Sequence, residues 1–193
     1  MADAGRVIAG TARGIRLQAP GPGTRPLGDR VKQTLFAILE PDLPGARVLD
    51  LFAGSGAGGI EALSRGAIAA VFVERDATAA RVIEANLQAT GLAERPRAMI
   101  LRADVEAFLG RQGDEHLPFD IVLLDPPYAD TDLRERALAW LGGRGAPLAL
   151  GARVVVKHFW RDRPPAQVGL LASERERRFG ETALTFYRRQ EDR

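Results

Sequence analysis

The sequence predicts an α/β protein whose central β-sheet is mostly parallel and covered by helices on both faces. Two observations carry this prediction. Strand-like apolar runs alternate with helix-like stretches from residue 47 to residue 158, and a glycine-rich turn directly follows the first of these strands. Strands that alternate with helices form parallel sheets, which bind ligands at the carboxyl ends of their strands. We therefore expect a ligand site at that edge of the sheet.

The alternating region contains a regular succession of predicted strands and helices. The strands cover residues 47–52, 69–74, 97–102, 119–125 and 152–158, and the helices lie near 57–65, 76–90, 104–110 and 131–141. Farther along, residues 168–178 and 182–189 have the pattern of two more strands, joined at Gly180. We expect a seven-stranded mixed sheet whose last strand is antiparallel.

The first forty residues have a different pattern. Residues 6–17 predict two short strands around a turn, with glycines at positions 10 and 14. Prolines and glycines crowd residues 19–26, which predicts an open loop because these residue types interrupt helices and sheets. Apolar residues then recur at helical spacing over 28–39. We expect a small hairpin and loop over 1–24 and the main domain over 25–193.

The composition limits the class of protein. With 193 residues, 46% of them hydrophobic and 27% charged, the chain resembles an ordinary soluble domain. It has no run of the roughly 18 apolar residues that a membrane span needs, and its start lacks the pattern of a signal peptide. We therefore expect a cytoplasmic protein, and a monomer. With no cysteine and two histidines, the chain also disfavours a metal site.

The net charge of +2 is unevenly distributed. Residues 1–40 carry a net charge of +3 and residues 151–193 one of +4, whereas residues 41–150 carry −5. Basic ends suggest contact with a polyanion such as a nucleic acid. The arginines of the first segment, which we take as candidate contacts, are Arg6, Arg13, Arg16, Arg25 and Arg30. A solvated basic surface without a partner explains the charge equally well.

The glycine-rich turn has the pattern of a nucleotide-binding loop. Residues 54–59 read Gly-Ser-Gly-Ala-Gly-Gly, and Glu74 follows 20 residues after Gly54 at the end of the next strand. This spacing fits a dinucleotide enzyme, in which the pyrophosphate binds a helix N-terminus. Asp50, however, stands at the mouth of the loop, where a carboxylate suits a cationic ligand such as S-adenosylmethionine. Glu74 is compatible with both a dinucleotide and S-adenosylmethionine, because it can accept hydrogen bonds from ribose hydroxyls.

Asp104 follows the third strand of the alternating region. At that position its carboxylate could accept a hydrogen bond from an adenine amino group. It could equally be the N-cap of the helix that begins at Val105, a role in which Asp is common.

The sequence Asp125-Pro126-Pro127-Tyr128 follows a buried apolar strand. Each proline lacks an N–H and holds the residue before it in an extended conformation, so the loop is stiff and offers acceptors. Two acceptors can hold the hydrogens of an exocyclic base amine and aim its lone pair at a methyl group. Tyr128 supplies a face on which the base can stack. The motif predicts methyl transfer to a base amine.

Together these motifs resemble the amino-methyltransferases of class I fold, and more closely the bacterial 16S rRNA guanine-N2 methyltransferase family. The segments that carry this resemblance, besides the Asp125–Tyr128 motif, are Arg6-Val-Ile-Ala-Gly10, Arg13-Gly14, Thr24-Arg-Pro26, Asp29-Arg30, Leu35-Phe36, Phe52-Ala-Gly-Ser-Gly56, Gly59-Ile-Glu-Ala-Leu-Ser-Arg-Gly66 and Gly180-Glu-Thr-Ala-Leu-Thr-Phe-Tyr187. They extend over nearly the whole chain.

The resemblance implies a Rossmann-like methyltransferase domain, S-adenosylmethionine as cofactor, and 16S rRNA or the 30S particle as substrate. It implies a catalytic loop of Asp125, Pro126, Pro127 and Tyr128, and an RNA-binding N-terminal hairpin. The cofactor would be lined by Asp50, Phe52, Gly54, Ser55, Gly56, Glu74 and Asp104.

Three alternatives remain open. The chain could methylate an adenine or cytosine amine of DNA, although it has little length for a target-recognition domain. It could be a non-catalytic RNA-binding assembly factor that keeps the fold. A dehydrogenase would instead bind NAD and not S-adenosylmethionine.

Overall fold

The computed structural model of the protein describes residues 2–21, 27–94, 97–110, 118–127 and 130–192. The strands are β1 Ala2–Arg6, β2 Arg16–Ala19, β3 Arg47–Leu51, β4 Ala69–Glu74, β5 Ala98–Arg102, β6 Phe119–Leu124, β7 Leu148–Phe159, β8 Gln167–Val168, β9 Leu171–Phe179 and β10 Thr182–Arg189. The α-helices are α1 Asp29–Leu39, α2 Ala57–Ser64, α3 Ala77–Thr90, α4 Val105–Leu109 and α5 Thr131–Leu141. Within the described ranges, no helix has the length and apolar character needed to cross a membrane.

Eight strands form one mixed sheet in the order β5-β4-β3-β6-β7-β10-β9-β8. The strands from β5 to β7 pair in parallel, whereas β10 lies between β7 and β9 and is antiparallel to both. The strand order reverses at β3 and β6, so a crevice is expected between the loops that follow these two strands. The predicted α/β fold with an antiparallel last strand is confirmed.

Helices and the hairpin cover both faces of the sheet, as the alternation of strands and helices predicted. Val48 packs in one apolar cluster, whereas Leu49 and Leu51 pack in a second. Successive side chains of a strand point to opposite faces, so the two clusters lie on opposite sides of the sheet. The first cluster contains residues of α1, α2 and α3, and the second contains residues of α4 and α5.

The sheet has eight strands rather than the predicted seven. The strand predicted over 168–178 is interrupted by a turn at Gly169, which has a φ of 53°. The two-residue strand β8 pairs with the start of β9 on the far side of this turn. The Leu170 N–H donates to the carbonyl oxygen of Gly142 at 2.8 Å, which fixes the turn against the end of α5. The apolar pattern alone did not reveal this break.

The N-terminal hairpin forms, but its strands lie outside most of the predicted segment. β1 and β2 pair from Ala2 opposite Ala19 to Arg6 opposite Arg16. The residues between them form a long connection that packs on α2. Glu61 of α2 is buried, and its carboxylate accepts the N–H groups of Ile8 and Ala9 at 2.7 and 3.0 Å. These bonds hold the connection in place, because an unpaired buried carboxylate would be costly.

Candidate functional site

A cavity of about 470 Å³ lies at the carboxyl ends of the central parallel strands. This volume is within the range of small-ligand sites. Among its lining residues are nine that the sequence indicated: Asp50, Phe52, Gly54, Ser55, Glu74, Asp104, Asp125, Pro126 and Pro127. The strand order thus brings the glycine loop, the acidic residue of the second strand and the Asp-Pro-Pro loop to one site.

Glu74 is connected to the glycine loop by a hydrogen bond. Its Oε2 accepts the Gly54 N–H at 2.9 Å, and its Oε1 accepts the Asp76 N–H at 2.9 Å. Both bonds orient the carboxylate at the end of β4, where it lines the cavity. Each carboxylate oxygen has a second lone pair, so the group can still accept two hydroxyl hydrogens of a ligand.

The loop that leads to the cavity is strained at Phe52. This residue has a φ of 62°, a left-handed backbone conformation that is unfavourable for a bulky side chain. The Ala53 N–H donates to the carbonyl oxygen of Val73 at 3.1 Å, which ties the loop to β4. The surrounding contacts therefore hold a conformation that Phe52 would not adopt by preference.

Asp50 lies beneath the glycine loop rather than at its mouth. Its carboxylate is buried, and Oδ2 accepts the Gly59 N–H of α2 at 2.8 Å. Burial is the main cause that raises the pKa of Asp50 to about 8; the Asp125 and Glu74 carboxylates contribute to the rise, while the Gly59 N–H opposes it. A cation in the cavity would favour the ionised form of Asp50.

The position of Asp50 argues against a dinucleotide. In a dinucleotide enzyme, the first N–H groups of the helix after the glycine loop bind pyrophosphate. Here the Asp50 carboxylate already accepts one of these N–H groups. Gly59 is also required for packing, since a Cβ on it would lie 2.3 Å from the Phe72 ring. The third glycine of the motif thus brings the helix close to the sheet.

Gly56 and Ser55 support the cavity wall in different ways. Gly56 is the N-cap of α2 and lies beside Ile83 of α3, outside the set of lining residues. Ser55 lines the cavity, and its carbonyl oxygen accepts the Asn86 side-chain N–H at 2.9 Å. The Asn86 amide also exchanges two hydrogen bonds with the backbone of Gln18 in β2, at 2.8 and 2.9 Å. One buried side chain therefore joins the glycine loop to the N-terminal hairpin.

Asp104 fills both positions that the sequence allowed. It is the N-cap of α4, where Oδ1 accepts the Glu106 N–H at 2.9 Å. It also lines the cavity, at a distance of 3.9 Å from Arg75 across the opening. Its side chain is 46% exposed, so part of the carboxylate remains available to a ligand.

Asp125 forms an ion pair with Lys157 of the neighbouring strand β7. Lys157 Nζ lies 2.6 Å from Oδ1 and 2.7 Å from Oδ2 of the carboxylate. The Asp125 side chain is 23% exposed and that of Lys157 11%. Burial raises the pKa of Asp125, and the Lys157 ammonium group opposes that rise. Lys157 therefore favours the ionised form of the carboxylate and fixes its orientation.

The proline loop after Asp125 is anchored at its far end. Asp130 donates its N–H to the Pro127 carbonyl oxygen at 3.0 Å and is the N-cap of α5, where it accepts the Leu133 N–H. Pro126 is buried and Pro127 exposed. Tyr128, the last residue of the predicted catalytic loop, lies outside the described residues.

Four of the five candidate RNA-binding arginines are described, and all four are exposed at the surface. Arg6 pairs with Asp29 at 3.5 Å and Arg16 with Asp3 at 2.8 Å, which offsets part of their charge. Arg13 lies in the hairpin connection and Arg30 in the first turn of α1. Arg25 lies outside the described residues.

Sequence reasoning missed Lys157 and Asn86. One signal for Lys157 was available, since it is a charged residue directly after three valines at the carboxyl end of a predicted strand. Its partner could not be identified without knowing that β6 and β7 are neighbours, in register with Leu124 opposite Val156. Asn86 gave no comparable signal, because a single polar residue on an amphipathic helix is usually solvated.

The chain is similar in sequence to known proteins. The sequence matches the family described as conserved hypothetical protein 95 over residues 5–188. Ribosomal RNA small subunit methyltransferase D of Escherichia coli K12 is 35% identical over 186 residues, which cover 96% of this chain and 90% of that protein.

Solved structures share the fold over almost the same length. The Escherichia coli protein yhhF superposes with a TM-score of 0.83 at 34% identity, covering 96% of this chain and 97% of that one. An RNA methyltransferase from Salinibacter ruber, solved with S-adenosyl-L-homocysteine, superposes with a TM-score of 0.62 at 17% identity and covers 87% of this chain and 95% of that one; at this identity it shows the fold alone. The chain has the class I methyltransferase fold and belongs to the conserved hypothetical protein 95 family, together with the small-subunit rRNA methyltransferases D.

Proposed function

We propose that this protein transfers a methyl group from S-adenosylmethionine to the exocyclic N2 amino group of a guanine in 16S rRNA, free or within the 30S particle. The observation that carries the proposal is the Asp125 carboxylate, which Lys157 holds at the edge of an acidic cavity. The name of the Escherichia coli relative, a small-subunit rRNA methyltransferase, supports rRNA as the substrate.

The cavity has the charge and the acceptors that this cofactor requires. Asp50, Glu74, Asp104 and Asp125 line it, against the cations Arg75 and Lys157. An excess of carboxylates favours a ligand with sulfonium and ammonium charges and disfavours a pyrophosphate. We assign Glu74 to the ribose hydroxyls, Asp104 to the adenine amine and Asp50 to the positively charged end. Phe52, Gly54 and Ser55 would lie against the bound molecule, with Gly56 supporting the loop from behind.

Asp125 is the residue that we assign to the target amine. A carboxylate has about four acceptor sites, and Lys157 occupies two of them. The remaining sites, together with the Pro126 carbonyl, can accept the two amine hydrogens and localise the nitrogen lone pair. Pro127 keeps this loop stiff, and Tyr128 would stack on the base.

The reaction requires little acid–base chemistry from the chain. When bound, S-adenosylmethionine would supply an electrophilic methyl group, and the electron pair of its bond to sulfur would remain on the sulfur as the bond to the target nitrogen forms. Asp125 stabilises the positive charge that develops on the nitrogen. It is also the nearest assigned acceptor for the proton that the nitrogen loses.

RNA contacts are proposed for the exposed arginines Arg6, Arg13, Arg16 and Arg30, with Arg25. These arginines lie on or near the hairpin. Leu27, three residues before Arg30, lines the cavity. Arg13 and Arg30 are the best placed of these residues, because both are exposed and no carboxylate among the described residues forms an ion pair with either.

The test is methyl transfer from labelled cofactor to 16S rRNA, 30S particles or DNA, followed by digestion to nucleosides. We expect label in N2-methylguanosine from the rRNA substrates alone. Label in methylated adenine or cytosine of DNA would replace the proposed substrate. If the protein bound NAD and not S-adenosylmethionine, the proposal would be wrong.

A variant that removes the Asp125–Lys157 pair as a neutral unit tests the chemistry separately from binding. Asp125→Ala alone would leave the Lys157 charge beside a cationic cofactor, so Asp125→Ala with Lys157→Met is the cleaner change. We expect methyl transfer to fall roughly 100-fold or more, the scale seen when one charge-stabilising group is lost, while calorimetry shows nearly unchanged cofactor affinity.

Lys157→Met alone gives the matching control. Without Lys157, burial raises the pKa of Asp125 unopposed, so the carboxylate is protonated over a wider range of pH. We expect the acidic limb of the pH–rate profile to move to higher pH. An unchanged profile would show that Lys157 does not control the charge of Asp125.

A further inference from the structure

Trp160 lies directly beyond the end of β7, three residues after Lys157. Three residues of extended strand span about 10 Å, so the Trp160 backbone lies at the same end of the sheet as Lys157. A shallow depression beside the catalytic loop has a lining that includes Pro126, Pro127, Lys157 and Phe159. The ring centroid of Phe159 lies 6.3 Å from that of Trp160.

Two arginines contact the Trp160 ring. The guanidinium carbon of Arg178 is 3.6 Å from the ring centroid and that of Arg161 is 4.8 Å away. Arg178 Nε donates to the carbonyl oxygen of Gly180 at 2.8 Å, and the backbone N–H of Trp160 donates to that of Glu181 at 3.0 Å. The Arg178 guanidinium and the Trp160 backbone are thus both tied to the turn between β9 and β10.

The cations around Trp160 are not neutralised by carboxylates. Arg161, Arg175, Arg177 and Arg178 are exposed, and no carboxylate among the described residues forms an ion pair with any of them. In contrast, Arg163 on the same surface pairs with Glu176 at 2.6 Å. In the N-terminal hairpin, Arg6 and Arg16 are also paired with carboxylates. The unpaired cations around Trp160 therefore give the end of β7 a positively charged surface.

We infer that Trp160, Arg161 and Arg178, here called the Trp160 surface, bind the RNA nucleotide that flanks the target guanine. The inference rests on the proposed function. An aromatic ring with stacked guanidinium groups is a platform for an unpaired base, and free arginine N–H groups bind phosphates. Because a base must leave its helix before its amine can enter a cavity, its neighbours in the strand are the nucleotides that such a platform would meet.

Arg175 and Arg177 add unpaired cations to β9, next to Arg178 but on the other face of the sheet. Their register partners on β10 are Phe186 and Leu184, whose side chains belong to the first apolar cluster, so both arginines point to the face that carries the N-terminal hairpin. The register partner of Arg178 is the next residue, Ala183, so Arg178 points to the opposite face. Cations on both faces of this part of the sheet favour a long polyanion such as RNA over a short acidic peptide.

Trp160→Ala and Arg178→Ala test the inference by filter binding to an unmodified 16S rRNA transcript. We expect each to weaken RNA binding and raise the KM for RNA about tenfold, with kcat and S-adenosylmethionine affinity close to wild type. Arg178→Ala should also reduce the slope of log affinity against log salt by about one, as the loss of one phosphate contact requires. Trp160→Phe, which keeps a ring, should bind nearly as well as wild type.

Arg81→Ala is the matched control, since Arg81 is an exposed arginine of α3, a helix that packs on β4 and β5 at the other end of the sheet. Its RNA affinity should equal that of wild type. A second readout is fluorescence, because the chain has two tryptophans. In a Trp140→Phe background, RNA should quench Trp160, as stacked bases quench indole emission.

The two levels of proposal can fail separately. If wild-type protein methylates rRNA but Trp160→Ala and Arg178→Ala behave like Arg81→Ala, the Trp160 surface is wrong and the proposed function stands. If Trp160→Ala and Arg178→Ala weakened binding to 30S particles but not to the naked transcript, the Trp160 surface would contact a ribosomal protein, and the inference would be wrong. If wild-type protein methylated no RNA, the proposed function itself would fail.

Discussion

Asp50 shows how one residue of the site works against stability. An ordinary aspartate has a pKa near 4, and burial raises that of Asp50 to about 8 in the folded chain. Between these two values, the folded state holds a proton that the unfolded state has released. The contribution of Asp50 to the free energy of unfolding therefore falls as pH rises from about 4 to about 8. The sequence placed a carboxylate here, but its burial follows from the packing of α2 on the sheet.

Asp50→Asn should stabilise the protein at the upper end of this range. The amide oxygen can still accept the Gly59 N–H, and no charge is buried. We expect the difference in Tm between the variant and wild type to increase from pH 5 to pH 9, measured by calorimetry. A difference that stays constant with pH would show that Asp50 is ionised throughout.

The same variant should bind S-adenosylmethionine about tenfold more weakly, the scale of a lost charge-assisted hydrogen bond. Cofactor binding to wild type at pH 7 should release a proton, because a bound cation lowers the pKa of Asp50. Calorimetry in two buffers of different ionisation enthalpy measures this release. Asp50→Asn, which has no such proton, provides the control.

At the scale of elements, the hairpin connection is held by α2 through close backbone contacts. A Cβ on Gly10 would lie 1.8 Å from the Ser64 carbonyl oxygen, and the φ of Gly10 is 84°. Ser64 also donates its hydroxyl to the Ala9 carbonyl oxygen at 2.6 Å and accepts the Ala12 N–H at 3.0 Å. The connection therefore fits α2 only if residue 10 has no side chain.

Gly10→Ala should lower the free energy of unfolding by about 3 kcal/mol, because a clash with backbone adds to the cost of a positive φ. Gly14→Ala is the matched control, since Gly14 has a φ of 86° but nothing within 4 Å of the added Cβ. It should cost about 1 kcal/mol, the left-handed backbone penalty alone. Denaturant titration measures both values, and equal losses would show that the contact with α2 is not tight.

The elements of the sheet were predictable to different degrees. Helices α2 to α5 lie within one residue of their predicted ends, because caps such as Asp76 and Asp104 and the apolar spacing mark those ends locally. The start of β7 was placed four residues too late, since Gly151 hides the beginning of the strand. The hairpin strands lie outside most of the predicted segment, because their pairing depends on contacts with α2 that no local sequence pattern indicates.

At the scale of the whole molecule, the sequence was enough to predict where the cavity lies but not which of its charged residues form ion pairs. Residues at the carboxyl ends of parallel strands meet whatever their distance in sequence, so Glu74, Asp104 and Asp125 could be brought together in advance. The pairing of Asp125 with Lys157 requires the strand order. Nor does the sequence tell which arginines of the basic ends are paired: among the described residues, Arg16 and Arg163 pair with carboxylates, whereas Arg13 and Arg178 do not.

Asn86 connects the hairpin to the glycine loop through hydrogen bonds. Asn86 bonds to Ser55 on one side and to Gln18 on the other, so we expect a molecule that immobilises the loop also to restrain the hairpin at Gln18. We expect S-adenosyl-L-homocysteine to slow hydrogen exchange of the Gln18 N–H. Exchange of the Gly14 N–H, which bonds within the hairpin to Val7, should change little. Slowing at Gly54 without slowing at Gln18 would contradict this connection.

The hydrogen bonds of Asn86 also bear on the order in which cofactor and RNA would bind and leave. Coupling between two binding sites is reciprocal. If cofactor binding at the loop strengthens RNA binding at the hairpin, RNA binding strengthens cofactor binding by the same free energy. If the proposed RNA contacts of the hairpin form, the protein would bind RNA more tightly when the methyl donor is bound and would release the donor more slowly while RNA is bound. Loss of either ligand would then weaken the binding of the other, through the hydrogen bonds of one buried amide.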